Sequence, residues 1–165
     1  MPYSLIVFEF STHNNFMTNE TNPRLEFFRS QIGQQMTKSP SGLGRWLNGK
    51  LVDIQANSMA FEFVVREDMT NPMMTLHGGA AASIMDDIVG VLVFTLGREY
   101  AYTSVNLNCD FLNAARVGDV LTARAEVIRA GKNVIHCEAR ITNADQKIIA
   151  KCSTNLIQTS MKLAF

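Results

Sequence analysis

Two clusters of polar residues in this 165-residue chain have the types and spacing to do chemistry. The first is the turn-like run Asn71-Pro72-Met73-Met74-Thr75-Leu76-His77-Gly78-Gly79; the second is Asp86-Asp87, set inside the apolar stretch from Ala80 to Phe94. An ionised carboxylate buried without partners is strongly unfavourable, so these aspartates are either compensated by neighbours or put to use. Two glycines at a helix start leave backbone amides open at the positive end of the macrodipole, and glycine lets a carbonyl approach the backbone closely. Open amides and a desolvated carboxylate are the parts needed to hold an oxyanion and to activate water or attack a carbonyl directly. Either aspartate could supply that carboxylate. Asp87 points about 100° away around a helix and reads as a structural or interface partner.

The flanking elements must position these groups. Asn22-Pro23 is a helix start, followed by Leu25, Phe28, Ile32 and Met36 at helical spacing. Ser39 to Gly44 reads as a loop. From Leu51 the period changes to two, with Val52, Ile54 and Ala56 on one face, a hairpin at Asn57-Ser58, and Met59, Phe61, Phe63 and Val65 alternating beyond it. A helix over about 78–96, apolar on nearly all sides, belongs in the middle of a structure. Strand-like segments follow at Tyr100 to Phe111, Val120 to Arg129, Val134 to Thr142 and Lys147 to Ile157. Strands and helices do not alternate, so the sheet is predicted to be antiparallel and the class α+β, a curved sheet wrapped around one central helix. Residues 21–165 form one domain in this reading. Residues 1–20 are an extension of unknown role, whose apolar Ser4 to Phe10 is expected to pack against the body.

Composition removes several classes of function. Fifteen basic and fifteen acidic side chains give a formal net charge of zero, with no Lys/Arg run to hold nucleic acid or an anionic membrane. The apolar run at 83–96 is broken by the two aspartates and is too short to span a bilayer. Cys109, Cys137 and Cys152 are odd in number and widely spaced, which argues for packing residues in a reducing, cytoplasmic setting over a disulfide framework. No metal-binding spacing, phosphate loop or Ser-His-Asp pattern is present, so neither metal nor cofactor is expected.

Asn71-Pro72, then His77-Gly78-Gly79 six residues after the Asn, then Asp86 nine after the His, resembles the hotdog-fold acyl-CoA thioesterases of the phenylacetic-acid-degradation type. The resemblance covers about Leu51 to Ile157 and includes the order of elements. It implies that Gly78 donates its N–H to a thioester carbonyl and that Asp86 acts as general base or nucleophile. Asn71 and His77 would shape the site, and Ser104 on the following strand would help position water. Gly79, Met73, Met74 and Met85 are the candidates to touch an acyl-CoA substrate. The family usually has glycine three residues before the His; Met74 stands there in this chain. The implied reaction is hydrolysis of a CoA thioester to free acid and CoA.

Helix geometry adds a constraint that no motif states. Gly78 and Asp86 are eight residues apart, roughly 12 Å along one helix, so one thioester carbon cannot touch both in the same chain. Two such helices packed antiparallel across a twofold axis would bring one chain's Gly78 toward the other's Asp86. The expectation is a homodimer with shared active sites, with a dimer of dimers, a homotetramer, as an open extension. Two alternatives remain at this stage. A hotdog-fold hydratase/dehydratase needs a His–carboxylate pair, whereas His77 and Asp86 lie half a helical rotation apart within one chain. A non-catalytic acyl-CoA-binding protein is the other.

Overall fold

The computed structural model describes residues 22–163. The expected extension at 1–20, with Ser4 to Phe10, lies outside the described residues. Two short helices, α1 (Pro23–Ser30) and α2 (Gly42–Leu47), precede a hairpin of β1 (Lys50–Gln55) and β2 (Ser58–Val64). The long helix α3 (Gly78–Phe94) comes next, then β3 (Tyr100–Phe111), β4 (Val120–Ala130), β5 (Val134–Thr142) and β6 (Ile148–Lys162). The six strands form one antiparallel sheet in the order β1-β2-β4-β5-β6-β3, so β1 and β3 are its edges. The expected α+β architecture, a curved sheet around one central helix with a short N-terminal helix, is the one observed.

Alternation builds the core. Leu121, Ala123 and Ala125 of β4, Ile135, Cys137, Ala139 and Ile141 of β5, and Cys152 and Leu156 of β6 are buried on the sheet's inner face. They meet Ala80, Ala81, Ile84, Met85, Ile88, Val89, Leu92 and Val93 of α3, which lies chiefly against β4, β3 and β5. The cysteines are free, and burial pushes the thiols of Cys137 and Cys152 up to about 12, as suits inert packing groups.

Several boundaries differ from the sequence pattern for local reasons. The first helix stops at Ser30, not near Met36, because the chain turns at Gly33 (φ +86°) and its backbone pairs with β1. Gly33 N–H donates to the Leu51 carbonyl at 2.7 Å, and Met36 N–H to the Gly49 carbonyl at 2.9 Å. That pairing protects part of an edge that would otherwise be open. Within the segment read as a loop, Ser41 accepts from Gly44 N–H at 3.0 Å and starts α2. The β1–β2 turn is Ala56-Asn57, one residue earlier than expected, since Gln55 faces Ser58. Strand β6 runs five residues past Ile157, to Lys162, beside β3.

The C-terminal end of α3 is answered by the chain's first described residues. Asn22 Nδ2 donates to the Thr95 carbonyl at 2.7 Å, while its Oδ1 caps α1 by accepting from Leu25 N–H at 3.2 Å. Arg24 is buried, donates to the carbonyls of Arg98 (2.8 Å) and Phe94 (3.4 Å), and lies 4.6 Å from the Phe94 ring centroid. A cation at this end opposes the negative pole of the helix and satisfies its free carbonyls. Arg24→Ala should therefore lower the unfolding free energy by about 2–3 kcal/mol, as read from urea denaturation.

Candidate active site

Asn71 organises the turn that leads into α3. Its Oδ1 accepts from the N–H groups of Met73 (2.9 Å) and Thr75 (3.2 Å), its Nδ2 donates to Thr75 Oγ1 (3.0 Å), and its backbone N–H donates to the Thr75 carbonyl (2.9 Å). This is the local side-chain-to-backbone bonding that suits Asn to turns. Met74 closes the turn at φ +57°, the left-handed conformation that glycine adopts without strain. The turn thus has a backbone shape that suits glycine and carries an exposed side chain in it. Met73 beside it is 78% exposed.

His77 is the N-cap of α3. Its Nδ1 accepts from Gly79 N–H at 2.8 Å, which requires that nitrogen to be unprotonated and leaves any ring proton on Nε2. The chain entering the helix is held by Leu76 N–H to the Ala115 carbonyl (2.8 Å) and His77 N–H to the Met69 carbonyl (2.8 Å). Gly79 was expected to offer a second free amide; the His77 ring already occupies it. Gly78 N–H, by contrast, has no hydrogen-bond partner among the described residues. It is a positioned, unpaired donor at a helix N-terminus.

Asp86 lies two turns further along α3, where Ser104 Oγ donates to its Oδ1 at 3.0 Å. The strand pattern places Ser104 with Asn106, Asn108 and Asp110 on one face, but the structure separates them. Ser104 faces Leu156 and Asn106 faces Asn155, so Val105 is an extra residue, a β-bulge. The bulge turns Ser104 toward the helix and the other three away from it. Asp87 faces α2 instead, 3.5 Å from Ser41 Oγ and close over Gly44, where an added Cβ would meet its carboxylate oxygens at 3.2 and 3.3 Å. Burial pushes its pKa above the ordinary 3.8; the Ser41 hydroxyl opposes this, and the Asp86 charge adds to it.

Met85, expected to touch substrate, is fully enclosed in the hydrophobic core, because its position on α3 points into the sheet. Phe111 is the site residue that the sequence pattern did not single out. A Cβ placed on Gly78 would meet its ring atoms at 3.4–3.6 Å. The only sequence signal was an aromatic at the end of an edge strand. The site therefore comes as two halves on one helix: Gly78 with Phe111, and Asp86 with Ser104, the helix residues being roughly 12 Å apart.

A model of the thioesterase superfamily matches residues 73–150, the span that holds both halves. Human acyl-coenzyme A thioesterase 13 is 30% identical over 102 residues, 61% of this chain and 73% of the relative. The chain belongs to the thioesterase superfamily, on the hotdog fold. The E. coli PaaI protein of the phenylacetic acid degradation operon superimposes with a TM-score of 0.74 at 19% identity, covering 87% of this chain and 99% of that one. A Streptococcus pneumoniae thioesterase protein solved with coenzyme A gives 0.66 at 22% identity, covering 70% and 89%. At these identities the structures show the shared fold.

Two stability measurements test the local readings. Met74→Gly should raise stability by about 1 kcal/mol, since relief of the left-handed strain exceeds the freedom glycine adds to the unfolded chain. Asp87 holds its proton more tightly folded than unfolded, so wild-type stability falls as pH rises from 3.8 through the raised folded value. Asp87→Asn lacks that loss. Its stability relative to wild type should improve between acidic and neutral pH in parallel urea titrations, and a constant difference would refute the reading.

Proposed function

We propose that this protein is an acyl-CoA thioesterase whose active sites are each built from two chains. The observation that carries the reading is the division of the site on α3: the unpaired Gly78 amide starts the helix, and Asp86, held by Ser104, follows eight residues on. The thioesterase 13 relatives and the coenzyme A complex of the pneumococcal protein support acyl-CoA as the substrate class.

In this mechanism the thioester carbonyl oxygen accepts from Gly78 N–H, at the positive end of α3. That donor is fixed before substrate arrives, and it gains strength as negative charge develops on the oxygen. Asp86 of the second chain takes a proton from water through Oδ2, its Oδ1 being held by Ser104. The water attacks the carbonyl carbon, the C–S bond breaks, and the CoA thiolate leaves and takes up a proton. Asn71 and His77 hold the turn and the helix start and do not enter the reaction. The cap also weighs against dehydratase chemistry, because the Nδ1 lone pair of His77 is already engaged.

The second chain is supplied by a twofold axis. Among the described residues β3 pairs only with β6, leaving a twelve-residue edge open on its other side. Antiparallel pairing of two such edges would run one chain's Gly78 half beside the other's Asp86 half. No helix among the described residues is long and apolar enough to cross a membrane, and the free cysteines fit a reducing, cytoplasmic location.

Complementation tests the shared site. Gly78→Pro, which removes the amide donor at a helix position that accepts proline, and Asp86→Asn chains should each be inactive toward acyl-CoA. Mixed and allowed to exchange, they should recover about a quarter of wild-type activity, since half the dimers are mixed and each holds one intact site. No recovery of activity on mixing, in a preparation shown to contain mixed dimers, would place both groups in one chain's site and sink the proposal.

A further inference from the structure

Phe111 faces inward yet stays open. In the sheet ladder Ile141, Ala150 and Phe111 stand side by side on β5, β6 and β3, so their side chains share one face. Ile141 and Ala150 are no more than 1% exposed, whereas Phe111 is 55% exposed. The core stops at this ring. Leu112, the next residue, is 51% exposed and continues the apolar surface.

The ring touches the amide-bearing glycine. The three atoms nearest to a Cβ built on Gly78 are Cζ, Cε1 and Cε2 of Phe111, at 3.4–3.6 Å. Phe111 thus presents the tip of its ring to Gly78 while much of the residue stays open. Because the ring stands beside Gly78, a carbonyl bonded to Gly78 N–H would sit next to it. Of the two substituents on the carbon, the sulfur leads to the polar, amide-containing arm of CoA, and the other leads to the acyl carbons. An open aromatic ring continued by leucine matches the acyl side.

We infer that Phe111 is a specificity-determining residue that packs against the first carbons of the acyl group and limits bulk at the carbon next to the carbonyl. This rests on the thioesterase reading. Straight-chain acyl groups lie along the ring face, whereas a branch at that first carbon meets the ring.

The experiment compares butyryl-CoA with isobutyryl-CoA, equal in composition and different only in that branch. For Phe111→Ala the ratio of kcat/KM for isobutyryl-CoA over butyryl-CoA should rise about tenfold, the scale of one methyl group in an apolar pocket. Phe111→Leu should fall between Ala and wild type and guards against a misfolded alanine variant. Hydrolysis of acetyl-CoA, which has nothing to branch, should change least. An unchanged ratio in both variants, with wild type active, overturns this inference alone. An equal loss on all three substrates with a shift to monomer in light scattering also overturns it, since the ring would then serve the subunit interface. A wild type that hydrolyses none of the three fails the thioesterase reading itself.

Discussion

A helix that is apolar on nearly all sides lies stably in the middle of a sheet when most of the polar loose ends it carries are answered by another part of the chain. Helix α3 has four such ends. Its C-terminal carbonyls are met by Asn22 and Arg24, Asp87 by the turn at Ser41, Asp86 by Ser104, and one N-terminal amide by the His77 ring. These partners come from the first described residues, the loop before α2, the edge strand and the turn before the helix. Compensating one helix therefore organises most of the non-sheet chain, and the Gly78 amide, left over from that compensation, is the group available to a ligand.

The two aspartates show how neighbouring positions acquire different roles from their surroundings. Both sit on the same turn of the same helix, yet one looks toward the edge strand and the other into the angle between α2 and α3. Asp87 is desolvated and has a hydroxyl and a helix start beside it, as a structural carboxylate should. Asp86 has one oxygen tied to a serine on a strand whose other edge is free. Sequence spacing separated them by direction, and the structure supplies what each direction leads to.

Much of the architecture was legible because it rests on periodicity. Alternation at Met59, Phe61 and Phe63 and the all-round apolarity of residues 80–94 specify a sheet and a central helix with little ambiguity. The turn, its glycines and Asp86 were legible because few residue types do that chemistry. What stayed hidden depends on contacts between distant segments. Arg24 reads as an ordinary helix-surface cation until Phe94 and Arg98 are beside it, and Gly79 reads as a free amide until the His77 ring turns onto it. The first helix was read too long because Ile32 and Met36 continue its spacing, whereas backbone pairing with β1 ends it. Phe111 gave no periodic signal, since an inward-facing residue left open looks the same in sequence as one that is buried.

The bulge on β3 sets two kinds of requirement at one position. Val105 is 54% exposed and contributes little packing, yet its exclusion from the ladder decides which face the residues just before it show. With it, the helix side of the strand reads a serine and the outer side reads Asn106, Asn108 and Asp110. Position 105 is therefore constrained in register, kept out of the ladder, and nearly free in identity. Substitutions there leave the link between strand and carboxylate intact, and so does loss of the residue, since Ser104 and Asn106 then follow one another in a regular ladder. Pairing Val105 with Leu156 instead would turn Ser104 to the outer face and remove that link with Ser104 and Asp86 both unchanged.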